Sequence, residues 1–150
     1  TPMFSDGSID FRNLEALIDY ITIHNVGMVS AGTTSESPTI HSEQEKIDKL
    51  VVSRAQGKVP VVIGAGTYDT EHSVELTRRA IGNGADATLH VMGYYNKPSQ
   101  RGVINYFGRV AETLDETYIL ETGNGGYSRL NFISALKYVN VGALFYVDIK

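Results

Sequence analysis

Five short apolar, β-branched runs, at residues 26–30, 61–64, 87–91, 117–120 and 143–147, alternate with segments of helical periodicity, and no charged residue interrupts any of them. Strands that read as continuous apolar runs belong to parallel sheets covered by helices on their faces. A spacing of roughly thirty residues is the length of one βαβ unit. The pattern therefore predicts an α/β fold of parallel βα repeats with strands buried on both faces. Two architectures satisfy it, a barrel and an open, flavodoxin-like five-stranded sheet. Five strands do not close an eight-stranded barrel, for which about 250 residues is usual. A barrel reading thus makes residues 1–150 a single domain covering part of a barrel.

The intervening segments carry their own start and stop signals. Phe11, Leu14, Leu17, Ile18 and Ile21 share one face of a first helix beginning near Asp10. Ser42 and Glu45 have the spacing of a capping box for a second helix, with Ile47, Leu50 and Val51 as its stripe and Gly57 and Pro60 as its end. Thr70 is the expected cap of a third helix that turns Val74, Thr77, Ala80 and Ile81 inward and ends at Gly84. Ser99 opens a fourth with Val103, Phe107, Val110 and Leu114 inside. A fifth is expected over 128–138.

Composition narrows the partners. Thirteen basic and seventeen acidic residues give a formal charge of −4, which provides no basic footprint for nucleic acid. No run approaches the ~20 apolar residues of a membrane helix, and no charged-then-apolar leader opens the sequence. A soluble protein in a cytoplasm-like setting is expected. The chain has no cysteine, so disulfides, thiolate metal sites and cysteine nucleophiles are excluded. His24, His41, His72 and His90 lack metal-ligand spacing. Surface positions are expected for the first two and for His72, with His41 in a loop, and a hydrogen-bonded core position for His90. No metal or cofactor is expected.

In either architecture chemistry belongs in the loops after the strands. Gly32-Thr33-Thr34-Ser35-Glu36-Ser37 offers backbone N–H groups and hydroxyls suited to a small carboxylate, although such residues also serve simply to close turns. Gly64-Ala65-Gly66-Thr67-Tyr68 and Gly93-Tyr94-Tyr95-Asn96-Lys97-Pro98 follow the next two strands. A tyrosine pair provides packing, and a phenol for proton transfer or a subunit contact. Gly123-Asn124-Gly125-Gly126 reads as a flexible turn or, less specifically, as a phosphate cradle, since Ser128 stands where a dinucleotide fingerprint has glycine.

Together these loops resemble the dihydrodipicolinate synthase family of Schiff-base aldolases. The first is similar to its G-T-T-G-E-S, Val62 to Thr67 to its third-strand segment, Tyr94 to Gln100 to its Y-Y-N-K-P-x-Q, and the opening Thr1-Pro2 with Asp6 to Asp10 to its T-P-x-x-x-D-G-x-I-D. The similarity is close over residues 1 to about 115. It implies a (β/α)8 barrel, usually tetrameric, that joins pyruvate, held as an imine on lysine, to aspartate semialdehyde in lysine biosynthesis. By that resemblance Thr33 and Thr34 bind the pyruvate carboxylate, Thr34 relays protons with tyrosines, and Tyr95 reaches a neighbouring subunit's site. Lys150 becomes the imine-forming lysine if two extra residues are allowed before it.

Three departures accompany the likeness. Ser35 replaces a glycine, which strains the loop if that position needs positive φ. Glu121 and Gly126 fall where the family has the tyrosine and arginine of Y-N-V-P-x-R. The family's I-K-E-A context around the lysine is reduced to Ile149-Lys150. A second register sets Glu121 to Asn124 against the family's E-A-T-G-N and loses one βα unit. The competing reading is a truncated or engineered half-barrel without chemistry, whose open strand edges promote self-association.

Overall fold

Asp10 starts the first helix as the sequence requires. Its Oδ1 accepts from the Asn13 N–H at 3.0 Å, and α1 runs Phe11–Ile23. The computed structural model describes residues 1–32, 35–91, 98–113, 118–122 and 144–147, with backbone alone for 41–42 and from 118 onward. The expected fifth helix and Leu114 lie outside the described residues. By contact the chain divides into Thr1–Gly64 with Asn83–Ala85, and Ala65–Gly82 with Asp86–Lys150.

In the first unit β1 (Met28–Ser30) pairs in parallel with β2 (Val61–Gly64), Met28 opposite Val61. Helix α2 (His41–Ala55) is packed on α1. The core gathers Leu14 and Ile18 from α1 and Ile47, Val51 and Ala55 from α2 around Val61 and Ile63 of β2. Burying Ile18, which retains 2% of its surface, contributes about 1.5–3 kcal/mol. Arg54 makes a two-pronged pair with Asp19 at 2.8 and 2.7 Å and so joins α2 to α1.

Two expectations fail here. Ser42 is the second residue of α2 instead of its cap, because a 3₁₀ turn, Ser37–Thr39, feeds the helix directly. The Ile40 carbonyl accepts from both Glu43 and Gln44, Ile40 supplies no capping side chain, and Glu45 pairs with Lys49. His41 accordingly opens a helix and does not sit in a loop. Nor is β1 buried on both faces, since Val29 is 52% exposed. Val26, read as strand, lies before it and is also exposed.

In the second unit β3 (Ala87–His90), β4 (Tyr118–Thr122) and β5 (Leu144–Val147) follow one another in parallel, with Ala87 opposite Tyr118 and Ile119 opposite Leu144. Helix α3 (Thr70–Gly82) packs against α4 (Gln100–Ala111), and Arg109 clasps Glu71 across that seam at 2.9 and 3.2 Å. Asp69, one residue earlier than expected, caps α3 by accepting from the His72 N–H at 2.8 Å. Ser99 caps α4 as expected. Val74, Thr77 and Ala80 of α3 and Val103, Phe107 and Val110 of α4 are buried. Among the described residues no helix is long and apolar enough to cross a membrane.

Candidate functional site

The loop after β1 is held at both ends. Ala31 takes a left-handed φ of 53°, and the Gly32 carbonyl then accepts from the N–H groups of Ser35 and Ser37 at 3.0 and 3.3 Å. Beside Ser35, Glu36 is left-handed, at φ 60°. Thr33 and Thr34, the carboxylate-binding candidates, lie outside the described residues.

Directly behind this turn the backbones of β1 and β2 meet. A Cβ on Gly64 would stand 1.9 Å from the Ala31 oxygen, so only glycine fits. The Gly64 carbonyl accepts from Gln44 Nε2 at 3.0 Å, and Ser30 Oγ donates to Asp48 Oδ1 at 2.7 Å. Gln44 and Asp48 are each only 2% exposed. They lie on the same face of α2 as Ile47 and Val51, and tie the helix to the ends of both strands. Sequence reading missed this polar stripe, although its i, i+4 spacing beside the apolar one was a visible signal.

The loop after β2 spends its hydroxyls on its own closure. The Thr67 N–H donates to Ser73 Oγ, Thr67 Oγ1 donates to the Asp69 carbonyl, and Ser73 Oγ reaches that same carbonyl at 2.9 Å. Ala65 and Gly66 both donate to the Leu89 carbonyl, and a Cβ on Gly66 would stand 2.2 Å from Val91 N. This glycine brings the loop onto the end of β3.

At that end His90 is fully buried, as expected of a core histidine. Its Nδ1 lies 3.1 Å from Tyr106 Oη and its Nε2 3.1 Å from Thr88 Oγ1. Burial pulls its pKa down from 6.5 to about 3, so the ring is neutral and one nitrogen donates while the other accepts. The chemistry available to it at neutral pH is hydrogen bonding and not charge. Tyr95 lies in 92–97, outside the described residues, as do Lys150 and the Gly123 to Gly126 turn. Glu121, set by resemblance at the family's tyrosine, lies within β4 opposite His90.

Elsewhere the first unit has an apolar cavity of about 230 Å³ lined by Leu14, Leu17, Ile18, Val29, Ile47 and Val51 among others. Its walls suit hydrocarbon and not a carboxylate. Among the described residues no group of three His, Cys, Asp or Glu is placed to hold a metal ion.

Relatives give these loops their context. The sequence model of the Dihydrodipicolinate synthetase family matches residues 1–122. A 4-hydroxy-tetrahydrodipicolinate synthase of Coxiella burnetii is 43% identical over 122 residues, which are 80% of this chain and 42% of that protein. One from Polynucleobacter asymbioticus is 42% identical over 80% of this chain and 40% of its own length. Among solved structures, dihydrodipicolinate synthase from Bacillus anthracis superposes with a TM-score of 0.84 at 32% identity, covering 97% of this chain and 52% of that one. The chloride-inhibited enzyme from Acinetobacter baumannii, complexed with pyruvate, gives 0.87 at 29% identity with the same coverages. The chain thus spans about two-fifths of the curated relatives it matches. Such likeness settles the choice between the two architectures in favour of parallel βα repeats of barrel type. With the family match running through the loops after β1, β2 and β3, the chain belongs to the Dihydrodipicolinate synthetase family.

Proposed function

We propose that this chain, as one partial-barrel domain, contributes to a lyase that condenses pyruvate with aspartate semialdehyde for lysine biosynthesis. The observation that carries the reading is the family match over residues 1–122, which takes in both the hydroxyl turn after β1 and the tyrosine loop after β3. The relative from Acinetobacter baumannii that was solved with pyruvate supports the substrate class.

In this scheme the Lys150 amine adds to the ketone carbon of pyruvate and water leaves, forming an imine. That imine is an electron sink: loss of a methyl proton gives an enamine, whose carbon attacks the aldehyde carbon of the second substrate. Water then returns to free the lysine. Thr33 and Thr34 hold the carboxylate, and Thr34 with Tyr95 moves the protons. Tyr95 acts across a subunit boundary, so the working species is a homo-oligomer. The amine needs a depressed pKa to be a nucleophile at neutral pH, which requires enclosure or nearby positive charge.

Borohydride reduction in saturating pyruvate, followed by peptide mass spectrometry, tests the scheme because reduction fixes the imine on the lysine that formed it. An adduct confined to Lys150, abolished by Lys150→Met, is the expected result. Failure to trap pyruvate on any lysine would make the chain a scaffold without the reaction.

A further inference from the structure

The described asparagines sit in unequal settings. Asn13 Nδ2 donates to Asp10 Oδ2 at 2.6 Å, and the N–H after it, on Leu14, donates to the Asp10 carbonyl at 2.9 Å. The N–H after Asn25, on Val26, donates to the Ile21 carbonyl at 3.3 Å, and Asn105 lies inside α4. Asn83 differs in each respect. It is half-buried in the turn between α3 and β3, with the exposed Gly82 and Gly84 on either side. Its Nδ2 is buried without a hydrogen-bond partner, and among the described residues it is the one buried side-chain nitrogen or oxygen left so. The N–H after it, on Gly84, is likewise unbonded among the described residues.

The surroundings leave the pair free to react. Gly84 takes a φ of 91°, which suits glycine, and a Cβ built on Gly82 would meet nothing within 4 Å. With no side chain at 84, nothing branches beside the nitrogen that follows the carboxamide. A buried amide that has lost water without gaining a partner is raised in free energy. A product in which that NH2 is gone escapes the penalty.

We propose that Asn83-Gly84 is a self-modifying site, at which the folded chain turns asparagine into aspartate and isoaspartate with water as the co-reactant. Hydroxide takes the proton of the Gly84 N–H, and the nitrogen bonds to Asn83 Cγ. The Cγ–Nδ2 bond then breaks, and Nδ2 leaves as ammonia with a proton from water, which regenerates the hydroxide. One water opens the resulting cyclic imide. Attack at Cγ restores the ordinary backbone with an aspartate, and attack at the main-chain carbon leaves the chain running through Cγ as isoaspartate. Either way one amide and one water become one carboxylic acid and one ammonia. The isoaspartate lengthens the main chain by a single carbon, in a turn that rests on α2: Val52 Cγ1 lies 3.3 Å from where a Gly84 Cβ would stand.

The experiment ages the whole 150-residue chain in mildly alkaline buffer, folded and, in parallel, unfolded in guanidinium chloride. Peptide mass mapping follows the replacement of NH2 by OH at each asparagine, and enzymatic methylation counts isoaspartate. Asn124-Gly125, the other Asn-Gly pair in the sequence, gives in the unfolded sample the rate intrinsic to such a pair. In the folded chain Asn83 is expected to convert at no less than about a tenth of its unfolded rate, because no hydrogen bond of the amide or of the Gly84 N–H has to open first. The rate rises with pH, as loss of the Gly84 proton requires. Folded-state conversion below about a tenth of the unfolded rate overturns the proposal, since the fold then protects the pair. Asn83→Gln keeps an amide but sets it one methylene further from the chain, which disfavours the ring. Folded Asn83→Gln protein is expected to accept fewer methyl groups than the parent after the same ageing, and an undiminished count would assign the isoaspartate to another residue and overturn the site.

Discussion

Replacing Gly64 by alanine tests the tightest packing in the molecule. The new methyl would sit 1.9 Å from the Ala31 oxygen and 2.6 Å from its carbonyl carbon, about 1.1 Å inside the 3.0 Å that real Cβ contacts almost never undercut. The obstacle is backbone and not a side chain that can swing away, and Ala31 is already left-handed at φ 53°. Relief requires β1 and β2 to separate at their carboxyl ends, which would also stretch the 3.0 Å bond from Gln44 to the Gly64 carbonyl. Overpacking of a filled interior costs about 1–3 kcal/mol, and a buried hydrogen bond broken on one side adds about 1–3 kcal/mol. The expected loss is therefore about 2–6 kcal/mol, or on the order of 10 °C in melting temperature for a chain of this size. Urea titration followed by circular dichroism measures it, with Gly108→Ala as the counterpart: nothing lies within 4 Å of that added methyl, and helix propensity predicts a gain of about 0.5–1 kcal/mol. A Gly64→Ala protein within 1 kcal/mol of the parent would refute the packing argument.

Other substitutions probe the remaining contacts. Ser30→Ala removes the 2.7 Å donor to Asp48, whose carboxyl is 2% exposed, and is expected to cost about 1–3 kcal/mol in urea titrations, whereas a cost near zero would mean the bond is incidental. The unfolded chain protonates His90 near 6.5 but the folded one only near about 3. Unfolding therefore takes up a proton between those values, and stability falls as pH drops through that window by up to about 1.4 kcal/mol per pH unit. His90→Gln should flatten the slope between pH 5 and 6.5, and an unchanged slope would assign the effect elsewhere. Arg109→Gln cuts the exposed pairs to Glu71 and Glu112 and should destabilise slightly at low salt and not at all in molar salt, since exposed charges are screened.

Where the sequence was legible, one local signal acted unopposed. The run 61–64 matches its expected bounds, the first helix starts at Asp10 as expected, and Ser99 caps α4 by bonding Gly102. Where reading failed, a neighbour overrode the signal. Ser42 and Glu45 have the spacing of a capping box, but Ser37-Pro38-Thr39 had already started the turn, so Ile40 closes it with its carbonyl. Asp69 took the capping role from Thr70 because Thr67 Oγ1 accepts from the Asp69 N–H and fixes that residue in place. Val29 shows the limit of composition, since the uncharged run 26–30 is still half exposed at this residue, the middle one of β1. For the candidate site, Thr33, Thr34, Tyr95 and Lys150 were legible through the resemblance of whole loops and not through any spacing of their own. The bonds behind those loops, from Gln44, Asp48 and His90, depend on which helix face meets which strand end, and that is decided by packing.

Leu17, Val26 and Val29 line the apolar cavity of the first unit and still lie open to solvent, as do Tyr20 and Ile23 of the same unit. In colloidal terms these greasy patches make collisions between molecules adhesive, and the formal charge of −4 is the repulsion that opposes them. That repulsion vanishes near the isoelectric point of about 5.5. Dispersions of this protein will be least monodisperse there, and a shift of buffer away from that pH in either direction will clear them sooner than added salt, which only shortens the range of the opposing field.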